Sequence, residues 1–182
     1  DLFPQSIEDY VAQDDPVRAY DTFVESLDLA KLGIVLDEFQ VGNPEYDPKA
    51  KIKLLVYGCS YGIRSSRKLE RACYHNVSFI WLMGGLKPDH KTISEFRKNN
   101  KKPLKNILKQ CAQLCIKLNL IDGNTLFVDG SKIRANASIN NTWTKEKCEK
   151  YLVKIDDRIE SILNECDTID DKEQNDPPLV KL

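Results

Sequence analysis

Between Tyr57 and Asn100 the chain reads YGCSYGIRSSRKLERACYHNVSFIWLMGGLKPDHKTISEFRKNN, and its most chemically suggestive residues are cations at helical spacing. Arg67, Lys68 and Arg71 share one face of a helix expected over about 65–74, with Leu69 and Cys73 on an apolar one. Ser65 and Ser66 stand where they cap that helix, which leaves backbone N–H groups aimed at a place where a phosphate could sit. Asp89 is placed to cap a further helix, on which His90, Lys91, Ser94, Arg97 and Lys98 can meet a phosphate or a base edge. With Arg64, these residues suit the binding of a polyanion, mostly through its phosphates. Other chemistries are poorly supplied. The six cysteines (Cys59, Cys73, Cys111, Cys115, Cys148 and Cys166) form no CxxC pair and fall at apolar helical positions, so they read as reduced core residues. His75 and His90 are too few for a structural zinc site. Asp156 and Glu160, four residues apart, imitate a carboxylate pair but flank an apolar seam and read as solvated.

Charge distribution sharpens the expectation of a polyanion partner. The formal net charge of −1 conceals a segregation: residues 1–50 hold twelve acids against Arg18, Lys31 and Lys49, whereas residues 57–120 hold thirteen bases against Glu70, Asp89 and Glu95. A basic block of that size in a neutral chain points to a polyanion. A blander account has the acidic first third fold against the basic middle and neutralise it. The two accounts differ in salt dependence, because nucleic-acid binding weakens steeply as salt rises. With 41% hydrophobic and 30% charged residues the composition is that of a soluble globular protein. No apolar run approaches the ~20 residues that span a bilayer, so no membrane is expected.

The elements that must position these cations read as helices. Ser6 caps a short helix carrying Ile7, Tyr10 and Val11, and Asp15-Pro16 opens another with Val17, Tyr20, Phe23, Val24 and Leu27. Asp28 is expected to cap a helix bearing Leu29, Leu32, Ile34 and Leu36, and Asp47-Pro48 opens one whose inward face is Ile52, Leu55, Val56 and Cys59. In the block itself, a basic helix, a buried helix (about Val77 to Met83), a Gly84-Gly85-Leu86-Lys87-Pro88 turn and a polar basic helix follow the grammar of a helix-turn-helix-like DNA reader. A small helical bundle with a solvated basic face has the same grammar. Lys102-Pro103 opens the next helix, ending near Asn119. Residues 125–138 are strand-like, and Asp129-Gly130 within them is a strong hairpin-turn signal. Over 142–167, Cys148, Leu152, Ile155, Ile159, Ile162 and Cys166 follow a 4,3,4,3,4 spacing. That seam serves equally to pack on its own domain or to join two protomers in a coiled coil through 148–166. The fold class expected is therefore mainly α: a helical module over 1–121 with a helix-turn-helix-like element, then a β-hairpin (125–138) and a long heptad helix (142–167) over 122–182.

The same residues carry a family resemblance. The block quoted above, followed by FVDGSKIRANAS, resembles the N-terminal half of bacterial insertion-sequence transposases of the DDE, RNase H-like class, whose running pattern includes GIRSSRKLERA, WLxGG and PDHKTISEFR. The likeness runs from about Asp14 to Ser138. It implies a helical module that binds the element's terminal inverted repeats, as double-stranded DNA, in the bacterial cytoplasm at the nucleoid. It also implies that Asp129 is the first of three catalytic carboxylates holding Mg²⁺ (or Mn²⁺), with the hairpin opening an RNase H-like domain. Two ions stabilise the attacking and leaving oxygens in strand cleavage and transfer, so one carboxylate alone binds metal weakly. The 182-residue chain is accordingly expected to hold no metal and to be inactive by itself, as the N-terminal part of a longer enzyme. The alternatives are a non-catalytic helical DNA-binding or regulatory protein and a protein-interaction module dimerising through the heptad helix.

Overall fold

The computed structural model describes residues 6–34, 46–117, 145–177 and 179–180. A 3-10 helix (Ile7–Tyr10) precedes α1 (Pro16–Glu25), α2 (Pro48–Ser60), α3 (Ser66–His75), α4 (Val77–Leu82), α5 (His90–Asn99), α6 (Lys101–Lys117) and α7 (Lys145–Glu173).

Local chemistry starts most of these helices. Asp15 and Asp47 accept hydrogen bonds from the N–H groups of Val17 and Lys49, both at 2.9 Å, with Pro16 and Pro48 at the first helical position. Ser65 accepts from the N–H of Lys68, Asn76 from that of Ser78, and Asp89 from that of Thr92 at 2.7 Å. The α4–α5 connection needs two left-handed residues, and Gly84 (φ 57°) and Gly85 (φ 79°) supply them. Between Asp28 and Gly33 the expected helix is only a set of turns. Gly33, at φ 77°, turns the chain there, and its N–H bonds the carbonyl of Ala30. Residues 35 and 36 lie outside the described part. Of the apolar residues at the first helix, Ile7 and Tyr10 are exposed and Val11 is buried.

The core is continuous from α1 to α6. Tyr57, on α2, is fully enclosed against the rings of Tyr20, Tyr61 and Phe79, with centroids 4.8–5.3 Å away. Ile52, Leu54, Leu69, Ile93, Leu104 and Ile107 fill the remainder. Gly58 lets α3 approach α2 closely, since a Cβ there would lie 2.4 Å from Leu69 Cδ2.

All regular structure among the described residues is helical, and no strand occurs among them. The expectation of a mainly α chain with an added β-hairpin is corrected to a helical one; residues 125–138 themselves lie outside the described part. The physical reason for the difference lies in α7. Instead of standing apart as an insertion in a β domain, it runs antiparallel to α6 and reaches α3 and α5. Ile159, Leu163 and Cys166 are buried within the chain, and Ile155 and Ile162 are half-buried. Charge pairs border that apolar contact: Lys109–Asp156, Lys105–Glu160 and Lys101–Asp167, at 2.7, 2.7 and 2.9 Å.

Candidate nucleic-acid interface

The N-terminus of α3 and the face of α5 lie side by side, tied by His90 Nδ1 to Glu70 Oε2 at 3.0 Å. Helical spacing sends Lys68 and Arg71 of α3 and Lys91 of α5 to solvent, and none of the three forms an ion pair with another described residue. Lys87, whose ammonium lies over the Tyr74 ring at the C-terminal end of α3, 4.6 Å from its centroid, is exposed as well.

Of the other expected contact residues, four are covered and Arg64 and Lys98 are paired with acids of α7. Ser65, Ser66, Arg67 and Arg97 are all buried, and what buries them is the C-terminal turn of α7 with the residues after it. Asp170 accepts from the Ser66 N–H at 2.8 Å through one oxygen, and from Ser66 Oγ at 2.7 Å and Arg97 through the other. Arg97 also lies 3.5 Å from Asp167 and reaches the carbonyl of Arg64. Ser65 Oγ donates to Glu173, and Arg67 reaches the carbonyls of Pro177 and Gln174. Lys98 pairs with Asp171 at 2.9 Å, and that hydrogen bond holds its ammonium above the usual lysine range. Arg64 bonds the Cys59 carbonyl and lies 3.7 Å from Glu165.

Neutralisation of the basic middle is thus real, but its agent is the last helix. Between 156 and 173, eight acids stand against Arg158 and Lys172. The acidic first third is engaged nearer home: Arg18 with Glu8, Lys49 with Glu25, and Lys53 with Asp21 and Glu25. Glu8 also accepts from the indole N–H of Trp81, which with Arg18 keeps its carboxyl below the usual range. Sequence reasoning missed Lys101, Lys105 and Lys109 as partners of α7. Their i,i+4,i+8 spacing opposite Asp156, Glu160 and Asp167 was the available signal.

Cys73 and Cys166 are buried free thiols, Cys111 is buried and Cys59 is partly covered. Burial pushes Cys73 and Cys166 up to about 12, so they are inert side chains of the core. Asp129 lies outside the described residues, and among those described no group of three or more His, Cys, Asp or Glu is placed to hold a metal. No described helix is long and apolar enough to cross a membrane.

Residues 5–99, just over half of the chain, match the family described as Transposase domain (DUF772), and the chain belongs to that family. Its function is therefore transposase-related. Comparison with curated proteins and with solved structures returned no match. The matched segment takes in α1 to α5 and every expected DNA-contact residue; α6 and α7 lie outside it.

Proposed function

We propose that this chain is the DNA-binding portion of a DDE-class transposase and that it holds the terminal inverted repeats of an insertion sequence. The observation that carries the reading is the pairing of α3 with α5, which presents Lys68, Arg71 and Lys91 to solvent, free of ion pairs, beside the capped start of α3. Lysines and arginines so placed contact phosphate, which gives affinity and register, while Ser94 and His90 lie where base edges can be reached. Lys98 extends the same surface, and Arg64, Ser65, Ser66, Arg67 and Arg97 lie next to it under the C-terminal end of α7. On the resemblance of FVDGSKIRANAS alone, we assign Asp129 to the carboxylate set that holds Mg²⁺ (or Mn²⁺) for strand cleavage and transfer in the whole enzyme.

The test is binding of a labelled DNA duplex by the wild-type chain and by Lys68→Ala/Arg71→Ala/Lys91→Ala. These side chains are exposed, so the variant should fold as the wild type does and lose roughly tenfold or more in affinity. Unchanged affinity in a folded variant removes this face as the DNA surface.

A further inference from the structure

Asp170 sits where a phosphate would sit. One carboxylate there takes a backbone N–H from the first turn of α3, the hydroxyl of Ser66 and the guanidinium of Arg97. That is the donor set of a phosphate site at a helix N-terminus. The fit is incomplete. Arg97 is 2% exposed, yet its Nε makes no hydrogen bond among the described residues and meets Asp167 only as an ion pair at 3.5 Å. A planar guanidinium offers two parallel N–H groups, which a phosphate can take together and this carboxylate does not. Asp171 and Glu173 repeat the substitution nearby, on Lys98 and Ser65.

From these contacts we propose that the C-terminal tip of α7, Asp167 to Glu173, is an intramolecular stand-in for the DNA backbone that keeps the α3–α5 face closed until DNA displaces it. The inference rests on the DNA-binding reading above and adds its regulation. Two features make the tip separable from the rest of α7. Its apolar anchorage ends at Cys166; beyond that, Ile169 is only half-buried and the contacts to α3 and α5 are ionic or hydrogen-bonded. Such contacts exchange readily with those to another anion and weaken with salt, whereas the Ile159–Leu163–Cys166 contact does not. Beside the tip lies a cleft of about 460 Å³, lined by Arg67, His90, Lys91 and Lys98 together with Glu95 and the tip's own Asp170, Asp171 and Glu173, and a strand that displaces the tip's acids can enter it. The closed state lowers apparent affinity by the fraction of molecules that are open.

The experiment compares duplex binding by the wild-type chain with Asp170→Asn/Asp171→Asn, by fluorescence anisotropy of a labelled DNA duplex, with thermal melts to show that both are folded. The neutral tip should bind roughly tenfold tighter, with a salt slope steeper by about two, because in the wild type Arg97 and Lys98 only exchange the tip's carboxylates for phosphates, with little net release of counterions. Hydrogen exchange at residues 167–174 of the wild type should quicken when DNA is added. Asp171→Asn alone, whose partner Lys98 is exposed, should tighten binding by a smaller factor and keeps the comparison readable if the double variant unfolds. Equal affinities, or a tip that stays protected while DNA is bound, overturn the inference and leave the DNA-binding reading standing. Failure of both folded proteins to bind defeats the DNA-binding reading, and the inference falls with it.

Discussion

Arg97 shows how one residue can serve two masters. It is enclosed by α7, held by Asp170 and near Asp167, yet it projects from the helix expected to face DNA. Truncating one partner of a buried pair leaves the other charge uncompensated, so Arg97→Ala should destabilise the chain by about 3 kcal/mol, measured by urea unfolding. A loss under 1 kcal/mol would mean that water already reaches the pair. The cysteines give a second check. Cys73 and Cys166 keep their protons up to about 12 when folded, whereas an unfolded thiol ionises near 9. The folded state therefore binds more protons between those values, and stability should fall as pH rises through that window. At pH 8 both should resist iodoacetamide until the chain is unfolded, read by mass spectrometry of alkylated peptides. Prompt alkylation of either in the native protein would show that the core opens readily.

At the scale of the elements, the closest approach is that of α2 and α3 at Gly58. Gly58→Ala gains about 1 kcal/mol of helix propensity but must displace Leu69, which is 1% exposed and enclosed by the core. Overpacking of a closed core costs about 1–3 kcal/mol, so a net loss and a lowered Tm are expected. A raised Tm would show that Leu69 relocates freely. Which helices form was largely legible in the sequence, because starts and stops are local chemistry: Asp15-Pro16, Asp47-Pro48, Ser65 and Asp89 cap by side chains two or three residues from their targets. Where the helices end up was less legible. Nothing near Asp170 in sequence announces Ser66 and Arg97, which lie 104 and 73 positions away. The heptad spacing of α7 told that it has an apolar seam, and its described part packs within the chain. The candidate site was legible only by half. Lys68, Arg71 and Lys91 are exposed cations, but the acids that meet Arg97 and Lys98, Asp170 and Asp171, lie beyond residue 167, where the heptad spacing stops.

For the whole molecule, charge is divided between two acidic ends and a basic middle, with each end settled on a different part of the bundle. The N-terminal acids meet Arg18, Lys49 and Lys53, while the acids of α7 meet Lys101, Lys105, Lys109, Arg97 and Lys98. The chain is close to neutral overall, yet among the described residues Lys68 and Arg71 on α3 and Lys91 on α5 form no ion pair. Exposed cations of this kind attract a polyanion even when net charge does not. The most direct measurement is the dependence of duplex-DNA affinity on salt, from about 50 to 200 mM. If these exposed cations lie along a DNA backbone, log affinity falls linearly with log salt, with a slope near −0.9 for each phosphate neutralised and so about −3 for Lys68, Arg71 and Lys91 together. A flat dependence, or no binding by the folded chain at the lower salt, contradicts the account.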